Sequence, residues 1–233
     1  MEASSFKSRE HPISRSGGIA PVRCHLDTPR YHVPTVSQVA RFQSKPTVVH
    51  WEAAKDILRY LKGTRELGLT YSAAQGGSPF PRGYVDASWG EDLNSRRSQT
   101  GYALVVGNAA VAWMSKLQST VALSSTEAEY TALAAAVCSA LGLRNLLKVL
   151  WPDVAGSFLL FEDNQSTIKQ ALKLQSSQRT KHVDIKHHFL KDHVSKGDIV
   201  LQYIPTAEQP ADALTKNLDR IKISSFRQSL LGR

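Results

Sequence analysis

Apolar residues recur along this 233-residue chain with two different periods, and the longest helical pattern runs from Ser124 to Leu150. Steps of four and three place one set of positions on a single helix face. That face carries Glu129, Leu133, Ala136, Ala140, Leu143, Leu147 and Leu150. The line counted from Glu127 is more polar and passes through Thr131, Ala134, Cys138, Leu141, Asn145 and Lys148. The pattern therefore predicts a long helix with Glu129, rather than Glu127, in line with its buried face.

The first turn of this helix contains both glutamates, in the stretch "SSTEAEY". Ser124 and Glu127 fit a capping box, in which the serine accepts a bond from the first turn and the glutamate reaches back to the cap. Thr126 and Glu129 have the same spacing, so capping alone does not separate the two acids. A carboxylate on a core face is unfavourable unless a partner holds it. Glu129 is therefore either a residue of the helix rim or a functional acid.

Alternating and continuous apolar runs predict five strands. The first three are "RGYVDAS", "TGYALVV" and "AVAWMSK", with the turn signal "GNA" between the second and the third. The fourth, "SFLLFED", is typical of a strand that is buried on both faces of a parallel sheet. The fifth is "DIVLQYIP".

Helical periodicity surrounds these strands. A helix is predicted in "PTVVHWEAAKDILRYLKGT", where Gly63 stops it. Three further helices are predicted: one after "DNQS", one over "KHVDIKHHFLKDHVSKG", and a final one from about Glu208. From the first strand onward the order is β-β-β-α-β-α-α-β-α. This order predicts an α/β fold with a mixed five-stranded sheet flanked by helices, and an N-terminal helical appendage.

Three segments have no strong period. Residues 1–30 are rich in Ser, Arg, Pro and Gly, which predicts a disordered or unrelated leader. Residues 31–45 are weakly patterned, and residues 72–79 have the composition of a linker.

Composition narrows the classes of partner. The 29 Lys and Arg against 20 Asp and Glu give a formal charge of +9, which suits a polyanion, although a basic surface can also serve solubility alone. Cys24 and Cys138 lie far apart without metal-ligand spacing, which indicates a reducing compartment. The N-terminus lacks the apolar core of a signal peptide, and no apolar run is expected to span a membrane.

Four acids fall near the ends of the predicted elements or on the helix between them. Asp86 lies near the end of the first strand, Asp163 follows the fourth strand, and Asp212 opens the predicted final helix. Asp163 and Asp212 also fit helix capping. However, ligands of α/β sheets bind at the carboxyl ends of strands, and Glu129 lies on the core face of the helix between Asp86 and Asp163. Clustered carboxylates repel one another, and a divalent cation removes that penalty. Ligands that are all oxygen favour Mg²⁺ or Mn²⁺ over zinc.

The sequence around these acids carries several motifs in a fixed order: "DASWGED", "RRSQTGYALVVGNAAVAWMSK", "SSTEAEYTAL", "DNQSTIKQA", "RTKHVDIKHHFLKDHV" and "YIPTAEQPADALTK". Together they resemble the ribonuclease H domain of copia-type retrotransposon Pol polyproteins. The resemblance begins at about Tyr31. It implies that residues 31–77 are a C-terminal remnant of the reverse transcriptase with its tether, and that residues 78–233 form a ribonuclease H-like domain.

The resemblance also implies an activity, which is hydrolysis of the RNA strand of an RNA–DNA hybrid. Asp86, Glu129, Asp163 and Asp212 would be both the catalytic acids and the ligands of two Mg²⁺ or Mn²⁺ ions. The remainder of a retrotransposon polyprotein is an implied partner. The implied location is a virus-like particle in the cytoplasm, or the nucleus. Many ribonucleases H have a histidine in the loop before the last aspartate, and the stretch "IPTAEQPAD" has none.

Basic residues that could contact phosphate lie in two places. Arg96 and Arg97 follow the first strand, and Arg179, Lys181 and Lys186 lie in or just before the basic helical segment. A solvated surface face and a zinc site among the neighbouring histidines are the alternatives, although no Cys pair accompanies those histidines. At the level of function, the alternative is a non-catalytic nucleic-acid-binding fragment or an inert relic of the polyprotein.

Overall fold

The structure, a computed structural model, describes residues 33–71, 81–92, 94–152, 156–172, 181–216, 218 and 220–232. The predicted leader and the predicted linker of residues 72–79 lie outside these ranges. The α-helices of the described residues are α1 (Val33–Ala40), α2 (Val48–Gly63), α3 (Ser125–Leu150), α4 (Gln165–Leu172), α5 (Lys181–Ser195) and α6 (Arg220–Leu231). The strands are β1 (Arg82–Ser88), β2 (Gln99–Val106), β3 (Ala109–Leu117), β4 (Phe158–Glu162) and β5 (Ile199–Tyr203).

The five strands form one mixed sheet in the order β3-β2-β1-β4-β5. β2 pairs antiparallel with both β1 and β3. Gly107, at a φ of 65°, closes the tight turn between β2 and β3. β4 lies parallel to β1 and to β5. This is the mixed five-stranded sheet flanked by helices that the element order predicted.

α3 covers one face of the sheet. Its predicted stripe is buried at Glu129, Leu133, Ala136, Ala140 and Leu147, where it packs against β1 and β2. At the far end of the stripe Leu150 is exposed, because the helix extends past the sheet. By length and composition α3 could also cross a membrane, so the expectation that no apolar run is long enough is wrong. The buried positions of α3 serve instead as the main core of this domain.

The opposite face of the sheet is covered by α6 and by the short 3₁₀ helix Pro210–Leu214. Leu214 and Leu230 pack there against Ala103 and Val105 of β2. In β4 alternate residues are fully buried on the face toward α3, and the residues between them are half-buried. The predicted burial on both faces is therefore complete only on the α3 side.

Two elements differ from the sequence prediction. α1 was not predicted; it packs against α2, and in the turn after α1 the ring of Phe42 stacks on His50 of α2 with ring centroids 4.0 Å apart. The final α-helix begins at Arg220 and not at Glu208, because the prolines at 205 and 210 divide the intervening chain into two 3₁₀ helices, Thr206–Glu208 and Pro210–Leu214. Asp212 therefore lies inside a 3₁₀ helix instead of opening α6.

Candidate active site

Three of the four predicted acids meet at one end of the sheet. Asp86 is fully buried near the end of β1, Asp163 directly follows β4, and Asp212 is 2% exposed in the 3₁₀ helix Pro210–Leu214. One carboxylate oxygen from each lies within 4.8 Å of the other two. β1 and β4 run parallel, so their ends bring Asp86 and Asp163 to the same edge.

Glu129 joins this group from the first turns of α3. It is 6% exposed, and one of its oxygens lies within 4.8 Å of oxygens of Asp163 and Glu162. All four predicted acids therefore come together, and Asp163 belongs to both groups of three. The two groups share one ligand in the way that adjacent cation sites do.

Glu127 takes the other role at the start of α3. Its backbone N–H donates to Ser124 Oγ at 3.2 Å, and its Oε2 accepts from the backbone N–H of Leu123 at 2.8 Å. The N-cap prediction is confirmed, although Glu127 reaches Leu123 and not the N–H of Ser124. Glu127 thus stabilises the helix start, while Glu129 faces the cluster.

Helix capping does not account for Asp163. Asn164 Oδ1 accepts from the backbone N–H of Ser166 at 3.0 Å and of Thr167 at 3.1 Å, so Asn164 caps α4. In the 3₁₀ helix that holds Asp212, the capping acceptor is the side chain of Gln209. Neither carboxylate is therefore used as a helix cap.

Glu162 is a member of the site that the sequence analysis missed. It is fully buried at the end of β4, and its Oε1 accepts from the backbone N–H of Asn164 at 3.1 Å. Its Oε2 has no hydrogen-bond partner among the described residues, and neither has Oε2 of Glu129. A signal was present, because Glu162 continues the two-residue step of Phe158 and Leu160 that marks the core face of β4.

Lys216 is the second missed residue, and it supplies the cluster with a positive charge. Its Nζ donates to Asp86 Oδ1 at 3.0 Å and to Asp212 Oδ1 at 2.7 Å. Thr215 Oγ1 also donates to Asp86 Oδ2. The spacing of four residues between Asp212 and Lys216 was the signal for this pair, because it places both residues on one face of the helix that was predicted from about Glu208.

Because position 101 of β2 is a glycine, the segment that holds Asp212 and Lys216 can pack closely against β2 beside Asp86. Gly101 pairs with Asp86, and a Cβ placed on it would lie 2.5 Å from Thr215 Cγ2 and 2.9 Å from Leu214 Cβ. Gln209 holds the same segment from the other side, because its Nε2 donates to the carbonyl oxygen of Val85 at 2.8 Å. The positions of Asp212 and Lys216 thus depend on close packing against the two central strands.

Burial is the main influence on the pKa values of Glu129 and Glu162, the inner acids of the cluster. It raises the pKa of Glu129 to about 11, with further contributions from the charges of Glu162 and Asp86. Burial also raises the pKa of Glu162, to which the charge of Asp163 adds. Both carboxyls therefore favour the neutral form unless a cation stands beside them.

Asp86 and Asp212, the outer acids of the cluster, are paired with a positively charged side chain, the ammonium group of Lys216. Burial and then the charge of Asp86 raise the pKa of Asp212 to about 6, against the opposing hydrogen bond of Lys216. For Lys216, burial lowers the pKa, but the carboxylates of Asp86 and Asp212 outweigh burial and raise it. The ammonium group is therefore charged at neutral pH.

The predicted phosphate contacts are only partly described. Arg96 and Arg97 are exposed in the loop after β1, and Arg96 has a φ of 55°. Lys186 is half-buried on α5, where its Nζ donates to Thr131 Oγ1 of α3 at 3.3 Å. Arg179 and the side chain of Lys181 lie outside the described part of the chain.

The donor set fits a hard divalent cation. Every candidate ligand in the two groups is a carboxylate oxygen, and two buried oxygens, one on Glu129 and one on Glu162, have no partner among the residues described. Anionic oxygen is the preferred ligand of Mg²⁺ and Mn²⁺. The residues present therefore fit the ions that the sequence analysis predicted.

Among solved structures, LC11-RNase H1, isolated from compost by a metagenomic approach, matches the chain with a TM-score of 0.44 and 18% identity. The match covers 59% of this chain and 94% of the other. No protein-family model matches the chain.

Curated relatives are similar over most of this chain. The retrovirus-related Pol polyprotein from transposon TNT 1-94 of Nicotiana tabacum is 38% identical over 193 residues, which is 83% of the chain and 14% of that polyprotein. The corresponding polyprotein from transposon RE2 of Arabidopsis thaliana is 30% identical over 195 residues, which is 84% of the chain and 13% of that polyprotein. The chain thus spans about one seventh of the length of these relatives. It belongs to the family of retrovirus-related Pol polyproteins of copia-type transposons, to one segment of which it corresponds.

Proposed function

We propose that this chain is a ribonuclease H that hydrolyses the RNA strand of RNA–DNA hybrids. The observation that carries the proposal is the cluster of Asp86, Asp163 and Asp212, with oxygens within 4.8 Å of one another, joined to Glu129 through Asp163. The kinship with transposon Pol polyproteins supports the same activity. A buried group of carboxylates at strand ends is costly for a fold, and metal-assisted phosphodiester hydrolysis gives it a use.

In this proposal the four carboxylates hold two Mg²⁺ or Mn²⁺ ions. Bound ions would supply positive charge at the scissile phosphate and a water molecule of lowered pKa. The carboxylates would hold the ions in a fixed arrangement, because Asp86 lies in β1, Glu129 in α3 and Asp212 in a 3₁₀ helix, and Asp163 directly follows β4. Burial of Asp86, Glu129 and Asp212 keeps bulk water from competing for the ligand oxygens.

Lys216 has a role in the same scheme. Its Nζ bonds both Asp86 and Asp212 and neutralises part of their charge. When cations occupy the carboxylates, the ammonium group becomes available to bind a phosphate oxygen. The exposed Arg96 and Arg97 and the basic α5 helix would contact the backbone of the hybrid further away.

Lys216 also favours a second candidate function. A lysine that bonds two of the four acids already satisfies them without a metal ion. A chain in which this arrangement persists would bind nucleic acid through its +9 charge without cleaving it. An inert relic of the polyprotein would neither bind nor cleave.

A cleavage assay separates these possibilities. Purified chain is incubated with a labelled RNA–DNA hybrid, and with DNA duplex of the same sequence, in Mg²⁺ or in EDTA. Metal-dependent cleavage of the RNA strand alone is expected. Binding without cleavage in Mg²⁺ and in Mn²⁺ would favour the non-catalytic fragment, and the absence of both would favour the relic.

We also propose that residues 31–77 are the end of a reverse transcriptase and its tether. The part nearest the sheet is attached to it, since Thr70 N–H donates to the carbonyl oxygen of Leu231 at 2.9 Å and Tyr71 Oη donates to that of Ala110 at 2.6 Å. The remainder of a Pol polyprotein is the proposed partner. A virus-like particle in the cytoplasm, or the nucleus, is the proposed location.

A further inference from the structure

The end of β4 places a carboxylate where its neighbours on the same face are core residues. Phe158, Leu160 and Glu162 alternate toward α3, and all three are fully buried. An isolated charge at such a position is strongly unfavourable, so this position requires a compensating group. The compensation offered by the described residues is small, since Oε1 accepts one backbone N–H and Oε2 accepts none.

The lysine of the site does not fill this gap. The described ion pairs of Lys216 are with Asp86 and Asp212, on the outer side of the cluster. On the inner side Glu162 faces Glu129, whose Oε2 is also without a hydrogen-bond partner among the described residues, and Asp163. Three carboxylates thus meet on the side of the cluster away from its internal cation.

We propose that Glu129, Glu162 and Asp163 form an inner cation site, in which Glu162 is a fifth metal-binding carboxylate of this chain. Their oxygens lie within 4.8 Å of one another. Two oxygens on opposite sides of one divalent cation are about 4–5 Å apart, so the group needs little movement to close around an ion. Glu162 has an oxygen free for such an ion, because its buried Oε2 has no hydrogen-bond partner among the described residues.

This inner site rests on the proposed function for its metal and extends the four acids to five. The outer acids Asp86 and Asp212, with Asp163, then hold the other ion. Asp163 bridges the two positions. The alternative for Glu162 is a neutral acid that shares a proton with Glu129 and binds no cation.

Replacing Glu162 by glutamine distinguishes a metal-binding carboxylate from a neutral acid, because glutamine has nearly the shape of a neutral carboxylic acid but is a poor metal ligand. Mn²⁺ binding to the full chain is measured by calorimetry and by electron paramagnetic resonance. The wild type is expected to bind two ions and Glu162→Gln one, while the capping-residue control Glu127→Gln still binds two. Equal numbers of ions in the wild type and in Glu162→Gln, with equal affinities, would overturn the proposal.

A second variant protects the test against misfolding. Glu162→Asp keeps the negative charge, and it is expected to retain a second ion with weaker affinity. Circular dichroism and thermal melting in EDTA report whether each variant is folded. If Glu162→Gln proves unfolded, a wild type that binds only one ion, or a Glu162→Asp variant with unchanged Mn²⁺ affinity, overturns the inner site.

The outcomes also separate this inference from the function on which it rests. Loss of one ion in Glu162→Gln together with a wild type that cleaves no hybrid would support the inner site and refute the nuclease. Cleavage by the wild type with unaltered Mn²⁺ binding in Glu162→Gln would do the reverse.

Discussion

At the scale of single residues, we expect the activity to depend most on Asp163, because it belongs to both groups of carboxylates. Asp163→Asn removes one anionic ligand with almost no change in shape. We expect it to abolish Mg²⁺-dependent cleavage of the hybrid while the protein remains folded. In EDTA its melting temperature should be unchanged or higher, since repulsion within the cluster falls.

Glu127→Gln is the matched control for this change. It weakens the bond to Leu123 N–H and is expected to cost on the order of 1 kcal/mol or less. Cleavage by this control should remain near that of the wild type. Equal loss of cleavage in both variants, or full cleavage by Asp163→Asn, would contradict the carboxylate mechanism.

Lys216 gives a prediction about the metal-free protein. Lys216→Met leaves Asp86 and Asp212 without their ammonium partner. Because the lysine side chain is 30% exposed, we expect a loss of about 1–3 kcal/mol in EDTA, less than for a wholly buried pair. Urea denaturation with and without Mg²⁺ measures it, and Mg²⁺ should stabilise the variant more than the wild type.

Lys196→Met serves as the comparison for Lys216→Met. Lys196 pairs with Asp192 on the surface of α5, where both side chains are more than half exposed. Its loss should change stability little in either condition. A similar response of the two lysine variants to Mg²⁺ would show that the ammonium group of Lys216 does not substitute for a cation.

At the scale of elements, the contact between β2 and the 3₁₀ helix Pro210–Leu214 depends on Gly101. Gly101→Ala would bring a methyl group 2.5 Å from Thr215 Cγ2 and 2.9 Å from Leu214 Cβ. We expect destabilisation of about 1–3 kcal/mol from overpacking, measured by urea denaturation, together with a loss of cleavage as Asp212 moves.

Gly142→Ala is the matched change in open space. Gly142 is inside α3, and apart from the adjacent backbone of its own helix no atom of the described residues lies within 4 Å of a Cβ placed there. Alanine there should stabilise the protein by about 0.5–1 kcal/mol through helix propensity. If both substitutions have the same effect, the close approach at Gly101 is not what positions the site.

Asp198 links three elements and gives a prediction for pH. It lies just before β5 and bonds His193 Nδ1 of α5 and Arg144 Nη1 of α3, each at 2.9 Å. The hydrogen bond from His193, followed by the charge of Arg144, lowers the pKa of Asp198 below its ordinary value of 3.8. A lowered folded pKa stabilises the fold above the unfolded value and ceases to do so as the pH falls through the folded value.

The melting temperature of Asp198→Asn should therefore lie clearly below that of the wild type at pH 7, and the difference should shrink below about pH 4. Asp192→Asn, which loses only an exposed pair with Lys196, should show a small difference at both pH values. A deficit in Asp198→Asn that is constant between pH 3 and pH 7 would mean that its charge does not hold the three elements.

At the scale of the whole molecule, the charge of +9 predicts how binding depends on salt. The affinity for hybrid should fall steeply as salt rises, because bound Lys and Arg release counterions from phosphates. Replacing Lys181 and Lys186 together by alanine should weaken binding and reduce the logarithmic salt slope by about 2. Fluorescence anisotropy across a salt series measures the slope.

Lys55→Ala tests whether any lost charge has the same effect. Lys55 is on α2, distant in sequence from the site, and it pairs with Glu52. Its replacement should leave the slope nearly unaltered. A slope that does not differ between the double variant and the wild type would identify the α5 lysines as a solvated face.

Much of the fold follows from local patterns. The strands "RGYVDAS" and "TGYALVV" and the helix from Ser124 to Leu150 were predicted within a residue or two, because alternation and the 3.6-residue period are imposed by backbone geometry itself. The choice of Glu129 over Glu127 as the inward acid came from the same period. The sequence by itself therefore determined the main elements, their order and four members of the carboxylate cluster.

Tertiary structure decided the rest. Lys216 reaches Asp86 from 130 positions away, and only the approach of the 3₁₀ helix over Gly101 makes that contact. The two-residue step of β4 marks Glu162 as core-facing, but only the tertiary structure brings one of its oxygens within 4.8 Å of oxygens of Glu129 and Asp163. α1 and the late start of α6 likewise depend on packing and on prolines. Such contacts are set by the register of the strands and by the fit of side chains between layers, neither of which a local period encodes.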